Sequence, residues 1–297
     1  MQISANGLQI EVDDQGPRSG EPLLLVMGLG MQLIAWPQEL VTALVAQGFR
    51  VLRLDNRDAG LSQGFDHLGS PGLLGLGVAA LKHRFKLPVA APYSLADMAG
   101  DALGVLDALG IHQAHVCGAS MGGMIAQHMA ARYPQRVKCL TLMMTTSGAR
   151  HLPQATARAQ RVLLRRPRGR DTASIVRHLE GLFEVIGSPA HPTEPALLRQ
   201  RLRSSVERAW RPQGTTRQLL AIVADGDRSA LLQGLKLPTG VIHGDADPLI
   251  PPAAAYDLLQ RVPGATLDLV PGMGHDLPTA LLPRFVQDIV NTAARAA

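Results

Sequence analysis

Short hydrophobic runs alternate along the chain with stretches in which apolar residues recur every three or four positions. The runs, rich in Val, Ile and Leu, are PLLLVMG, FRVLRLD, AHVCGAS, VKCLTLMM, TGVIHGD and ATLDLVPG. Runs that are apolar on both faces are typical of buried parallel strands, and the spacing in WPQELVTALVAQG and SLADMAGDALGVLDALG is typical of helices. The pattern predicts an α/β fold in which helices connect the strands of a mostly parallel sheet.

The N-terminal residues follow a different pattern. Asn6-Gly7 lies between two short alternating runs in ISANGLQIEV. This dipeptide favours a type I′ turn because both turn positions require a positive φ. We therefore expect the chain to open with an antiparallel hairpin.

Two stretches interrupt the alternation of strands and helices. Residues 65–93 are rich in Gly and Pro, whereas residues 145–217 are helical in pattern, rich in arginine and without a clear strand. We interpret the second stretch as an inserted helical cap. The expected organisation is a core in two parts, residues 1–144 and 218–297, with the cap at 145–217 between them.

Composition and charge exclude several classes of protein. The chain is 46% hydrophobic and 18% charged, as in ordinary soluble proteins. No apolar stretch reaches the roughly 20 residues of a membrane span, and the first 25 residues contain acids where a signal peptide needs an apolar run. We therefore expect a cytoplasmic protein without a membrane span.

The positive charge is concentrated in one segment. The net charge is +5, and residues 150–217 contain 14 Arg against 5 acidic residues. This segment has neither a run of aromatic residues nor a nucleic-acid-binding module, so it favours a solvated arginine face over a nucleic-acid partner. The oligomeric state is left open by the sequence.

The two cysteines give no sign of a metal site or a disulfide. Cys117 and Cys139 lie inside apolar runs, without CxxC spacing and without paired histidines. We expect buried thiols, and we expect the protein to use neither a metal nor another cofactor.

Ser120 is a candidate nucleophile. Gly118 and Gly122 flank it in a G-x-S-x-G pattern, where a sharp turn from strand to helix leaves no room for a Cβ. The strand-like AHVCG precedes the serine and the helix-like MGGMIAQHMAARY follows it, as such a turn requires. A helix N-cap serine is the alternative, and we favour the nucleophile because a base and an acid are available downstream.

These partners follow the last two strand-like runs. His275 stands in LVPGMGHDLP, in a glycine-rich loop able to bring its ring to Ser120, and we take it as the general base. VIHGDADPLIPP offers two acids: we favour Asp247, which lies deeper in the loop, and we expect Asp245 to form a turn. We expect structural roles for the histidines in or beside strands and helices, which are His112, His115, His128 and His243.

The segments GASMGG, HGDADPLIPP and PGMGHDLP, with MGLG and LDNRDAGLS, resemble the α/β-hydrolase superfamily. Within it they resemble small-ester hydrolases of the aclacinomycin methylesterase type, through most of the core but not through the Gly/Pro-rich stretch or the cap. The resemblance implies the α/β-hydrolase fold, Asp247 as the acid of a catalytic triad, and a second oxyanion donor in MGLGMQ. Many members have His-Gly where this chain has Met27-Gly28, so no histidine is available to brace that turn.

The oxyanion hole follows from the elbow and from this turn. We expect the backbone N–H groups of Leu29 and Met121 to receive the developing negative charge. Met121 is well placed because it begins the elbow helix, whose dipole favours an anion.

Several methionines lie near predicted strand ends. A flexible aliphatic substrate pocket is one interpretation, and the filling of core gaps is the other. Trp36 either lines this pocket or packs on the helix that follows it. We expect Asp55, Arg57 and Ser62 to form a structural turn. The candidate pocket residues are Met27, Met31, Trp36, Met143 and Met144.

These observations favour a serine hydrolase that forms an acyl-enzyme from a small or medium, apolar carboxylic ester. The alternatives on the same three side chains are an acyltransferase, a cofactor-free haloperoxidase or perhydrolase, and a carbon–carbon bond hydrolase. Serine at the elbow argues against a dehalogenase or an epoxide hydrolase, which use aspartate there. A non-catalytic ligand-binding protein is the alternative from another class.

Overall fold

One eight-stranded sheet runs through the computed structural model, which describes residues 1–69, 72–85 and 87–296. Its strands, in chain order, are β1 (Gln2–Ala5), β2 (Leu8–Gln15), β3 (Glu21–Val26), β4 (Phe49–Leu54), β5 (Ala114–Ala119), β6 (Val137–Met143), β7 (Thr239–Gly244) and β8 (Thr266–Val270). They lie side by side in the order β1-β2-β4-β3-β5-β6-β7-β8. Each of the six hydrophobic runs in the sequence corresponds to one of these strands.

The sheet is parallel from β4 to β8 and antiparallel at its N-terminal edge. β1 pairs with β2, and β2 with β4, in antiparallel register. The expected hairpin is confirmed: Asn6 and Gly7 have φ values of 50° and 75°, as a type I′ turn requires.

Helices connect the parallel strands. They are α1 (Gln38–Ala46), α2 (Leu73–Arg84), α3 (Leu95–Ala108), α4 (Met121–Arg132), α5 (Ala157–Leu163), α6 (Thr172–Ile186), α7 (Pro195–Arg208), α8 (Pro212–Asp225), α9 (Ser229–Gln233), α10 (Ala253–Arg261) and α11 (Leu282–Ala294). Within the described residues, no helix is both long enough and apolar enough to cross a lipid bilayer.

Side-chain alternation along the strands divides the core into two layers. In β3, Leu24 and Val26 pack with residues of α3, α4 and α10, whereas Leu23 and Leu25 pack with residues of α1 and α11. Successive side chains of a strand point to opposite faces, so a strand buried on both sides must be apolar throughout. This explains why the central strands read as unbroken hydrophobic runs.

The segment between β6 and β7, residues 144–238, contains helices α5 to α9. It has a small core of its own, in which Ile175 and Val176 of α6 pack with Leu202 and Val206 of α7. The boundary expected at residues 217/218 falls inside helix α8. The pattern of α8 continues without a break to Asp225, and β7 begins only at Thr239.

Candidate active site

Ser120 lies at the turn between β5 and α4 in a conformation that non-glycine residues rarely adopt, with φ 54° and ψ −120°. A Cβ on Gly118 would lie 2.3 Å from the carbonyl oxygen of Gly122, and a Cβ on Gly122 would lie 2.0 Å from that of Val26. Gly118 therefore allows α4 to start close against β5, and Gly122 allows the turn to pack against β3. Ser120 occupies the N-cap position of α4, but its side chain makes no capping hydrogen bond.

His275 brings its ring between a hydroxyl and a carboxylate. Its Nε2 lies 3.0 Å from Oγ of Ser120, and its Nδ1 lies 2.6 Å from Oδ2 of Asp247. These three residues come from the ends of β5, β8 and β7, which meet at the carboxyl edge of the parallel sheet. The arrangement gives the serine hydroxyl a proton acceptor and the imidazole an oriented carboxylate partner.

Asp247 is fixed by its own loop. Its Oδ1 accepts hydrogen bonds from the backbone N–H groups of Leu249 and Ile250, at 2.8 and 2.9 Å, which leaves Oδ2 for His275. Asp245 is instead exposed, and its carboxylate accepts a hydrogen bond from the backbone N–H of Gly272 at 2.6 Å. The structure therefore brings Asp247 to the imidazole and leaves Asp245 in a turn.

His243 forms a hydrogen bond with the loop that contains Asp247. It is fully buried in β7, and its Nε2 donates a hydrogen bond to the carbonyl oxygen of Ile250 at 2.8 Å. Burial lowers the pKa of this imidazole, because the charged form is poorly solvated in the core. A neutral ring suits its place 3.7 Å from the carboxylate of Asp247, since it holds the loop without competing with His275 for that charge.

The backbone N–H groups of Leu29 and Met121 lie near Ser120 and have no acceptor among the described residues. The turn after β3 approaches the serine so closely that a Cβ on Gly28 would lie 3.1 Å from Cβ of Ser120. The first N–H groups of a helix are unpaired and point at its N-terminus, where an anion is favoured. This combination is available to stabilise negative charge on a substrate oxygen.

Side chains from elsewhere in the fold hold this turn. Nδ2 of Asn56 donates to the carbonyl oxygen of Met27, and Oε1 of Gln218 accepts from the N–H of Gly30, both at 2.8 Å. Gly30 has φ 67°, and a Cβ there would lie 2.6 Å from Oγ1 of Thr215. Neither Gln218 nor Thr215 was predicted, because nothing local in the helical pattern of α8 indicates that two polar residues face a turn near residue 30.

A cavity of about 390 Å³ opens onto Ser120 and His275. Three of the five predicted pocket residues, Met27, Met31 and Met144, line it. Of the two alternatives for Trp36, the structure shows the second, since this fully buried side chain packs with residues of α1, the helix that follows it. Met143 does not line the cavity, and the pocket prediction is wrong for this residue, which is fully buried in the core layer under the sheet. Met143 is directed there by strand alternation, whereas Met144, just past the strand with φ 48°, turns towards the cavity.

Helices α5 to α8 supply most of the remaining wall. Their contribution is mainly apolar and includes Leu163, Leu179, Leu182, Phe183, Ile186, Leu198, Leu202, Leu219 and Ile222. Charged groups on the wall are Arg201, Arg211 and Asp276. Burial raises the pKa of Asp276, and a hydrogen bond from the hydroxyl of Ser188 partly opposes that rise.

The turn after β4 is built by hydrogen bonds, as expected for a structural element. Asp55 is fully buried and accepts from the N–H groups of Leu33 and Leu61 and from Nη1 of Arg208. The hydroxyl of Ser62 donates to the carbonyl oxygen of Asp55. Arg57 makes a bidentate pair with Asp101 of α3.

The cysteines are free and buried, on neighbouring strands β5 and β6. Burial raises the pKa of Cys139 to about 12, and it also raises that of Cys117. Among the described residues no group of His, Cys, Asp and Glu is arranged to hold a metal ion.

The family model for the alpha/beta hydrolase fold matches residues 21–278. The chain therefore belongs to the α/β-hydrolase fold family, and it is an enzyme of the hydrolase class. It is similar to the rhodomycin D methylesterase DauP of Streptomyces sp. (strain C5), with 29% identity over 90% of this chain and 88% of that protein. It is also similar to a 2-hydroxymuconate semialdehyde hydrolase of Pseudomonas putida, with 28% identity over 99% of this chain and 94% of that protein.

Solved structures share the fold along the whole chain. A meta-cleavage product hydrolase from Pseudomonas fluorescens IP01 superimposes with a TM-score of 0.77 at 21% identity, covering 100% of this chain and 98% of that one. The enol-lactonase from Burkholderia xenovorans LB400 gives a TM-score of 0.73 at 22% identity, covering 99% and 100%. At this level of identity the likeness concerns the fold alone.

Proposed function

We propose that this protein is a carboxylic ester hydrolase in which Ser120, His275 and Asp247 act as a catalytic triad. The observation that carries the proposal is the continuous chain of hydrogen bonds from Oγ of Ser120 through both nitrogens of His275 to Asp247, with lengths of 3.0 and 2.6 Å. A serine hydroxyl is a weak nucleophile near neutral pH, and such a chain supplies the base and the oriented acid that it needs.

In the first half-reaction, Oγ of Ser120 attacks the ester carbonyl while Nε2 of His275 takes the hydroxyl proton. The carboxylate of Asp247 holds the Nδ1–H and stabilises the imidazolium that forms. His275 then returns the proton to the departing alcohol, which leaves an acyl group on Ser120.

Negative charge builds on the carbonyl oxygen in each tetrahedral intermediate. We assign its stabilisation to the N–H groups of Leu29 and Met121, which are free to donate. The loss of one such donor typically lowers the rate by about 100- to 1,000-fold. In the second half-reaction, water attacks the acyl group with His275 as base, and Ser120 is regenerated.

The substrate we propose is a small alkyl ester, such as a methyl ester, of an apolar carboxylic acid. The largely aliphatic wall of the cavity supports an apolar acid, because burial of apolar surface contributes about 25 cal/mol per Å². The names of two relatives, rhodomycin D methylesterase and pimeloyl-[acyl-carrier protein] methyl ester esterase, support a small alcohol. We further propose that residues 145–217, with the rest of α8, act as a cap over this cavity.

The experiment that tests the function is a series of esters that vary separately in acyl length and in alcohol length. The wild type should hydrolyse apolar methyl esters, and Ser120→Ala should lower kcat by about a million-fold. The control Ser204→Ala changes an exposed serine on α7 and should behave as the wild type. Equal activity in wild type and Ser120→Ala would remove the assignment.

Two further measurements separate the alternatives. Covalent labelling by a fluorophosphonate probe, present in the wild type and absent in Ser120→Ala, would exclude a non-catalytic binder. Product analysis in the presence of alcohol or thiol acceptors would reveal an acyltransferase if acyl transfer outpaced ester hydrolysis. The same analysis with a vinylogous diketone substrate would reveal a carbon–carbon bond hydrolase if cleavage of that substrate outpaced ester hydrolysis.

A further inference from the structure

The loop that carries His275 rests on the C-terminal end of helix α6. The backbone N–H of His275 donates to the carbonyl oxygen of Ile186 at 2.6 Å. The backbone N–H of Gly274 donates to Oγ of Ser188 at 2.8 Å, and that hydroxyl donates to Oδ1 of Asp276 at 2.5 Å. The hydroxyl of Ser188 thus binds both residues that flank His275.

The loop before His275 and the residues after α6 are in direct backbone contact. A Cβ on Gly274 would lie 2.3 Å from the carbonyl oxygen of Gly187, and a Cβ on Gly272 would lie 2.2 Å from Cβ of Ala190. The N–H of Ala190 also donates to the carbonyl oxygen of Gly272 at 3.1 Å. Gly272 and Gly274 therefore permit a close contact, because a larger residue at either position would push the loop away from the residues after α6.

The hydroxyl of Ser188, at the centre of the junction, is well removed from water. Ser188 is 4% exposed, and burial raises the pKa of Asp276, whose carboxylate interacts electrostatically with His275 and Asp247. If the hydroxyl of Ser188 were removed, the buried N–H of Gly274 and one oxygen of the partly buried Asp276 would lose their partner. Such groups find new partners by moving, and both belong to residues directly bonded to His275 in the chain.

We propose that Ser188 is a positioning residue that fixes the imidazole of His275 between Ser120 and Asp247, a role that rests on the function proposed above. The helical segment between β6 and β7 then has two roles: it forms a wall of the cavity, and at the end of α6 it holds the loop of His275 in place. Since catalysis depends on a placement accurate to a fraction of an ångström, a displacement of about 1 Å costs up to about 100-fold in rate.

The test compares Ser188→Ala with a matched control elsewhere in the fold. Ser147 is also buried, and its hydroxyl likewise donates to an aspartate, Asp257 at 2.5 Å, and accepts from a backbone N–H, that of Ala149 at 3.1 Å. Ser147→Ala should therefore lower thermal stability about as much as Ser188→Ala. It should leave kcat within about twofold of the wild type, since its hydrogen bonds do not reach the triad.

For Ser188→Ala we expect kcat to fall about 10- to 100-fold while KM changes less than about threefold. The rate of fluorophosphonate labelling should fall by a similar factor, because labelling uses the same nucleophile and base. Ser188→Thr retains a hydroxyl and should restore most of the activity. Ser188→Cys keeps the side-chain volume with only a weak hydrogen-bonding group, so it should show the defect even if the alanine variant fails to fold.

The outcomes are distinguishable from a failure of the proposed function. If Ser188→Ala and Ser188→Cys keep the kcat and labelling rate of Ser147→Ala in an active enzyme, the positioning role is wrong and the triad stands. If the wild type neither hydrolyses esters nor reacts with the probe, the proposed function is lost, and the role of Ser188 with it.

Discussion

The side-chain oxygen of Gln218 accepts a hydrogen bond from the backbone N–H of Gly30 at 2.8 Å, although 188 positions separate the two residues. The amide nitrogen of the same fully buried side chain donates to the carbonyl oxygen of Arg57 at 2.7 Å. Helix α8 thus holds the turn that contains Leu29, directly beside Ser120. The turn is therefore held from a distant part of the chain.

Gln218→Met should impair this turn. The substitution leaves the N–H of Gly30 and the carbonyl of Arg57 without partners, so we expect a loss of about 1–3 kcal/mol in the free energy of unfolding. If the Leu29 N–H shifts out of line, kcat should also fall by about 10- to 100-fold. Urea denaturation and steady-state kinetics measure the two effects.

A control separates the catalytic effect of Gln218→Met from simple destabilisation. Gln127 is equally buried, donates to the carbonyl oxygen of Thr146 and accepts from Nε of Arg228. Gln127→Met should lose similar stability and keep its kcat. The same kcat in both variants would show that Gln218 has no catalytic effect through the turn that contains Leu29.

Asp247→Asn tests which acid serves His275. An amide cannot both accept from Nδ1–H and stabilise the imidazolium, so kcat should fall by about 10,000-fold while the fold is retained. Asp245→Asn is the matched change two residues away, and among the described residues the carboxylate of Asp245 accepts a hydrogen bond from the N–H of Gly272 alone. We expect that variant to keep most of the activity, and a larger loss in Asp245→Asn than in Asp247→Asn would reverse the assignment.

The parts of the molecule that the sequence predicts well are those governed by local pattern. Strands buried on two faces must be apolar throughout, and a type I′ turn requires residues such as Asn6-Gly7. The elbow around Ser120 is also local, because its glycines and the helix after it lie within a few residues. For the same reason the positions of Asp247 and His275 could be predicted, since each follows a recognisable strand.

The parts that escape prediction depend on contacts between distant segments. Trp36 is close in sequence to the turn after β3 but packs under the sheet, and only the path of α1 decides this. Gln218 and Ser188 form hydrogen bonds with loops far from them in sequence, and neither stands in a distinctive motif. The sequence pattern shows no transition at residue 217, because α8 contributes both to the cavity wall and to the core.

Arg217 on α8 should be essential for stability. Its guanidinium is fully buried and makes a bidentate pair with Asp58, with further contacts to Asp66 and the carbonyl of Gly69. Burial disfavours ionisation of Asp58, but its hydrogen bonds with Arg217, Phe65 and Tyr93 outweigh this and lower its pKa. Arg217→Met leaves that carboxylate unpaired, so we expect a loss of about 3–5 kcal/mol in the free energy of unfolding.

An exposed pair on the neighbouring helix provides the comparison for Arg217. Arg203 lies 3.4 Å from Glu207 on α7, and both side chains are about half exposed. Arg203→Met should therefore change the free energy of unfolding by less than about 1 kcal/mol. Guanidinium denaturation at pH 7 measures both variants, and similar losses in the two would show that the buried pair contributes no special stability.

His243 should make the folded state sensitive to mild acid. Burial lowers its pKa, whereas in the unfolded chain a histidine titrates near its ordinary value of about 6.5. Below that pH, His243 binds a proton in the unfolded state but stays neutral in the folded state. The stability that is present above about pH 6.5 is therefore lost as the pH falls. His243→Gln keeps a donor for the carbonyl of Ile250 and removes the titration, which should reduce the loss between pH 7.5 and 5.5 by about 1 kcal/mol. The exposed His112→Gln should retain the full wild-type slope in urea denaturation, and equal slopes in the two variants would exclude His243 as the source.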